Sequence, residues 1–151
     1  MKVVKKNPIW LVALGLLMAA QLPAFASQDK DSEKVKEVVN AFHHALKASN
    51  AKEARSLLND NVLIFEGGSV ERSAEEYAHH HMLADMKYLA ALDSEVIEHN
   101  VMVSGEYAYS VSRTRTKGEY KGKQRDYVGM ETIVLRRTPA GWEIVHIHWS
   151  R

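Results

Sequence analysis

The sequence predicts an α+β domain in which helices lie against one face of a mostly antiparallel sheet, and three observations carry that prediction. Apolar residues recur at helical spacing up to about residue 91 and at a spacing of two beyond it. Gly105, the stretch 118–123 and Pro139-Ala140-Gly141 punctuate the second half where strands would turn. The chain has 151 residues, 46% of them hydrophobic, and no cysteine, so it has the length for one packed core and no disulfide frame to replace one.

The first element is an address. Lys2, Lys5 and Lys6 precede an apolar run over 9–20, and Pro23-Ala24-Phe25-Ala26 closes it with small residues at the last and third-last positions. This pattern predicts a secretory signal peptide over 1–26, cut after Ala26, and a domain over 27–151 that is periplasmic or secreted. The apolar run is shorter than the ~20 residues that cross a bilayer, so no stable membrane insertion is expected after cleavage.

Helical spacing of Val35, Val38, Val39, Phe42, Ala45 and Leu46 predicts a first helix over 32–48, capped by Asp31 or Ser32. Ser49-Asn50 interrupts it, and a short second helix is expected over 51–59. A brief strand over 62–65 stops at Gly67-Gly68. Ser73 followed by Glu76 is a capping box that opens a third helix reaching about residue 91. Four strands follow, near 95–104, 106–117, 124–137 and 142–149.

The balance of charge narrows the partners. The first 26 residues hold three lysines and no acid, so the remainder carries 17 basic against 19 acidic residues, a net charge of −2. A mildly acidic body lacks the clustered positive charge that releases counterions from a phosphate backbone, so no nucleic acid is expected as a partner. Neither GxGxxG nor GxxxxGK[ST] occurs, which argues against nucleotide chemistry. Without GxSxG or cysteine, nucleophilic catalysis has no local signature.

Seven of the eight histidines fall in three groups: His43-His44, His79-His80-His81, and the pair His146 and His148. In a regular strand His146 and His148 share a face with Trp142 and Ile144, leaving Val145, Ile147 and Trp149 opposite. On a helix His81 and Asp85 are four apart and project together. A helix presenting His81 and Asp85 toward a strand presenting His146 and His148 sets three nitrogens and one carboxylate around a divalent ion, and zinc or iron suits that donor set. Copper, through Met82, Met86, Met102 and Met130, is the lesser expectation, because methionine is more often packing filler. Glu66 and Glu131 are further candidates. The alternative is a polar cluster without metal, in which burial brings carboxylate and imidazole toward neutrality for general acid–base work; Asp85, Glu131 and His146 are then the candidate catalytic groups. Of His43 and His44, one is expected at the core edge and the other in water.

The order of elements, with FEGGSVERSAEEYAHHHMLADM in the middle and ETIVLRRTPAGWEIVHIHWSR at the end, resembles the SnoaL-like branch of the nuclear transport factor 2-like superfamily. The resemblance implies a cone: a strongly curved sheet wrapped around three helices from the first half of the chain, with a pocket at the wide end and pairing through the sheet into a homodimer. By the same resemblance His80, His81, Asp85, Glu131, His146 and His148 line the cone, and the face of Ile147 meets the second subunit. Glu66, Tyr77, His80 and Trp142 are expected to complete the pocket wall. The superfamily holds isomerases, cyclases, dehydratases and pure assembly domains, so the fold fixes no reaction. The reading that follows is an exported pocket protein binding a small molecule, through a His- and Asp-held metal in one version. The alternatives are an acid–base enzyme acting on a carbonyl-bearing small molecule and a non-catalytic dimerising domain.

Overall fold

The computed structural model describes residues 22–151, with side chains from Asp29 onward. Most of the expected signal peptide, residues 1–21, lies outside the described residues. Among these, no helix is long and apolar enough to cross a membrane.

Four helices precede and interrupt a six-stranded sheet: α1 (Leu22–Lys47), α2 (Ala51–Ser56), β1 (Leu58–Glu66), β2 (Ser69–Glu71), α3 (Ala74–His79), α4 (Met82–Ala90), β3 (Leu92–Ser104), β4 (Tyr107–Tyr120), β5 (Lys123–Thr138) and β6 (Gly141–Ser150). The order across the sheet is β2-β1-β6-β5-β4-β3. Only β1 and β6 run parallel; every other neighbouring pair is antiparallel. Val35, Val39, Phe42 and Leu46 recur every three to four residues along one stripe of α1 and are buried. That stripe packs with Ile133, Leu135, Ile144 and Ile147 of the central strands into one core, and each fully buried side chain of this size contributes about 1.5–3 kcal/mol.

The expected start of the first helix at residue 32 is corrected, since helical backbone already runs from Leu22. Asp31 therefore lies inside the helix rather than capping it. Its carboxylate receives both guanidinium N–H groups of Arg137, at 3.1 and 2.6 Å, and so ties α1 to β5. The second helix ends early, at Ser56, because Leu58 already pairs with Ile144 of β6. Gly67 and Gly68, at φ +56° and +88°, form a two-residue hairpin turn that returns the chain as β2. The brief strand expected to stop at these glycines thus continues, through them, into a second strand. The third expected helix is two helices, broken at His80-His81, so the cone encloses four helices in place of three.

Irregular pairings curve the sheet. One lies at Ile97 in β3, where Val96 pairs Thr114 and Glu98 pairs Arg113, the next residue along β4. A second lies at Val145 in β6, where Val134 pairs His146 while Leu135 pairs Ile144. An extra residue bends its strand and reverses the alternation beyond it. At the other end of β4, Gly118 (φ +137°) lets Leu92 pass close by; a Cβ there would meet Leu92 Cδ2 at 2.9 Å.

Candidate functional site

The reversal at Val145 decides which side chains the cone encloses. Trp142 and Ile144 face inward before it, and Ile147 and Trp149 face inward after it, which leaves His146 and His148 on the outer face. Ile147 is fully buried. Across the parallel pairing Phe65 lies beside His148 and Leu63 beside His146. The Phe65 ring meets both imidazoles edge-on, at 5.3 and 6.2 Å. His146 Nδ1 donates to the Leu63 carbonyl at 2.7 Å. The expected four-ligand centre of His81, Asp85, His146 and His148 is therefore not assembled: strict alternation would have brought the two strand imidazoles inward, and the bulge turns them out. His146 is removed from the catalytic candidates for the same reason. Ile147, expected at a subunit contact, belongs to the core. Trp142 is no part of the pocket wall either; it lies seven residues from Trp149 on β6, about 20 Å along the strand. Its ring is covered by the Arg137 guanidinium at 4.4 Å.

Two polar clusters remain on the inner side. The first gathers Glu66 at the end of β1, Glu71 on β2, Tyr77 on α3, and His81 and Asp85 at the start of α4. The break between α3 and α4 builds it. Histidine is a weak helix former, and at the break the buried Glu71 carboxylate takes the His81 Nδ1–H on Oε1 and faces His80 Nδ1 with Oε2 at 3.4 Å. His81 is the cap residue of α4, and its carbonyl accepts the Asp85 N–H at 2.9 Å, so the two stay one helical turn apart although the helix breaks just before them. The Tyr77 hydroxyl, fully buried, donates to Asp85 Oδ2 at 2.9 Å. Ile64, Glu66, Ser69, Glu71, Tyr77 and His81 enclose a hollow of about 10 Å³, room for about one water.

The electrostatics of this cluster favour protons. Burial raises the Asp85 carboxyl, the charge of Glu66 raises it further, and the Tyr77 hydrogen bond recovers only part, leaving it at about 6. Burial also pushes Glu66 up, against the pull of His81 and Arg151. The hydrogen bond to Glu71 raises His81 despite its partial burial. Tyr77 is pushed well above its ordinary value by burial and by Asp85, so it stays a hydrogen-bond donor.

The second cluster lies beneath α1. Glu131 on β5 is buried and accepts from Trp149 Nε1 at 2.6 Å, His43 Nε2 at 3.1 Å and Ser112 Oγ at 3.4 Å. Burial alone would raise this carboxyl, but the charge of His43 and the three donors outweigh it and hold Glu131 below the usual range. Burial opposes the charged form of His43, and Glu131 overcomes that to raise it. A carboxylate so held is a fixed countercharge, not a group poised to exchange protons near neutrality. Glu131 thus sits apart from the proton-handling cluster, and Trp149 stands between them, its ring 6.3 Å from that of Tyr77. His44 is exposed, as the reading of the His43-His44 pair expects, and with Lys47 and Ala48 it borders an open depression of about 320 Å³ beside His43.

Sequence reasoning missed Glu71, Trp149 and His43 as site residues. The signal for Glu71 was the Gly67-Gly68 pair, which as a hairpin turn returns a second strand carrying Glu71 alongside Ile64. Among the described residues the ligand atoms that converge are those of Glu71, Glu76 and His80, all within 4.8 Å of one another.

The curved sheet closed over helices, with a polar cluster at the helix break, defines the class. The sequence model of the SnoaL-like domain family matches residues 35–151, and the chain belongs to that family. It is similar to a candidate ketosteroid isomerase of Shewanella frigidimarina NCIMB 400, with 48% identity over 78% of this chain and 94% of that one, at a TM-score of 0.76. A nuclear transport factor 2-like protein with a cystatin-like fold from Novosphingobium aromaticivorans shares 18% identity over 89% of this chain and 90% of its own, at a TM-score of 0.72. The association domain of C. elegans CaMKII shares 16% over 83% and 98%, at 0.66. These two likenesses show the fold alone. Among curated proteins nothing matches.

Proposed function

We propose that this chain is an exported acid–base domain that binds a small carbonyl-bearing molecule at the cluster of Glu66, Tyr77, His81 and Asp85, with Asp85 moving the proton. The observation that carries the reading is the Asp85 carboxyl, half-buried, bonded to Tyr77 and raised to about 6. General acid–base groups work best with a pKa near the operating pH. Ionised Asp85 takes a proton from the carbon beside the carbonyl and later returns it to the same or a neighbouring carbon. The single Tyr77 O–H is committed to Asp85 and orients it, which leaves the second nitrogen of His81, whose Nδ1 is held by Glu71, to polarise the carbonyl oxygen. The hollow, which Asp85 does not line, admits one oxygen-sized group, so the carbonyl oxygen is the part that enters it and the remainder lies against the exposed rim around His81. The Shewanella relative supports the reading by its name alone. Export rests on the pattern of the first 26 residues.

The test follows α-proton exchange in deuterated water by NMR across a panel of small ketones. The expected result is exchange that rises with pH through about 6 and falls at least ~100-fold in Asp85→Asn. Exchange that ignores Asp85→Asn, or none across the panel, overturns the proposal.

The outer sheet face supports a homodimer. Met102 and Tyr109 pair across β3 and β4, and Val128 and Met130 lie further along on β5 opposite Arg115 and Arg113, all four exposed on the outer face; exposed apolar surface is commonly covered by a partner. A second copy seated there leaves the cluster around Asp85, on the inner side, open to ligand.

A further inference from the structure

We propose that Glu71, Glu76 and His80 form a divalent transition-metal site, zinc by its donor chemistry, with water completing the coordination. This goes beyond the acid–base reading and requires no substrate.

Three features point to it. The ligand atoms of the three residues lie within 4.8 Å of one another, a spread one ion closes by drawing each inward. One pair, His80 Nδ1 and Glu71 Oε2, is 3.4 Å apart, about the separation of two tetrahedral ligands each ~2.1 Å from zinc. Most telling is Glu71 itself, 4% exposed. Its Oε1 is held by His81 Nδ1, but no hydrogen bond reaches Oε2. A buried carboxylate oxygen without a hydrogen bond is costly and calls for an explanation, and a cation on that oxygen supplies one.

The remaining contacts orient the ligands, as the outer shell of a metal site does. Glu76 Oε2 accepts the Arg72 backbone N–H at 2.6 Å, and the Glu76 backbone N–H is capped by Ser73 Oγ at 3.0 Å. The His81 bond fixes the plane of the Glu71 carboxylate. Two carboxylates and a neutral imidazole balance the dipositive charge. Nitrogen and oxygen donors without thiolate suit zinc, and cobalt as its spectroscopic substitute. His80 is well exposed, which leaves a face of the site open to water and to exchange.

The experiment uses the chain purified without a polyhistidine tag, equilibrated with zinc chloride and assayed by elemental analysis and calorimetry; cobalt chloride in parallel reports donor geometry by visible absorption. One equivalent of zinc per chain is expected, weakened at least ~10-fold in His80→Ala and in Glu76→Gln. His80→Ala replaces an exposed side chain and leaves the core intact. His79→Ala and the double variant His146→Ala/His148→Ala are expected to bind as the parent does. Asp85→Asn is expected to keep its zinc, so failure of the acid–base reading leaves this one standing. No uptake by the parent, uptake unchanged in His80→Ala, or uptake lost with His146 and His148 overturns it.

Discussion

Trp149 donates its indole N–H to Glu131 at 2.6 Å, and the same ring lies 6.3 Å from that of Tyr77, the donor to Asp85. One aromatic side chain thus separates two carboxyls of opposite behaviour. Glu131 is surrounded by donors and held below the usual range, whereas Asp85, beside the acidic Glu66, is raised to about 6.

The Glu131–His43 pair gives stability a pH window. Glu131 is depressed below 4.5, so its contribution is present above that value and is lost as pH falls through its folded pKa. His43 is raised above 6.5, so its contribution is complete below that value and is lost as pH rises through its folded pKa. Thermal unfolding from pH 3 to 9 should show the pair's full effect between about 4.5 and 6.5. His43→Asn should flatten the alkaline flank, and an unchanged flank refutes the coupling.

Asp85 has the opposite sign. Between its ordinary value of 3.8 and about 6 the folded chain binds a proton that the unfolded chain has released, so this group lowers stability as pH rises through that interval. Asp85→Asn is expected to gain on the parent, by on the order of 1 kcal/mol, as pH goes from about 4 to 7. Urea midpoints at the two pH values measure it. A constant difference between the two proteins contradicts the assignment.

The faces of β6 are separable by two alanines. Ile147→Ala removes a fully buried side chain and is expected to cost about 2–4 kcal/mol. His148→Ala, on the exposed outer face, is expected to change stability by less than about 0.5 kcal/mol. Equal costs in chemical denaturation are incompatible with the reversal at Val145.

The homodimer is tested by Met130→Glu, which sets a charge on an outer face where Met130 is 51% exposed. Light scattering should show a dimeric parent and a monomeric variant with an unchanged far-ultraviolet spectrum. A parent that is monomeric at micromolar concentration rejects the sheet as an interface.

Much of the fold is legible because it rests on periodicity. The stripe Val35, Val39, Phe42 and Leu46 and the alternation in β4 and β5 are local patterns with local causes. The site is less legible because it depends on exceptions. A bulge at Val145 leaves no mark in alternation, since Trp142, Ile144, Val145, Ile147 and Trp149 are apolar on both possible faces. The helix break at His80 goes with its contact to Glu71, nine residues back in sequence. Pairing Asp85 with Tyr77, eight residues apart across that break, needs the break to be known first. The capping box of Ser73 and Glu76, by contrast, was readable and holds, with Glu76 N–H on Ser73 Oγ.

The position of β6 between β1 and β5 bears on how the chain acquires its shape. Among the described residues, hairpin β1–β2 and meander β3–β4–β5 have no strand-to-strand link except through these ten residues, which follow both in the sequence. Without β6 the sheet is two disconnected halves and the core lacks Ile144 and Ile147, so tertiary closure waits for that strand. Trp149, which bonds Glu131 and lies beside Tyr77, the donor to Asp85, is carried on that strand, so the interior chemistry is organised in the same step that joins the halves.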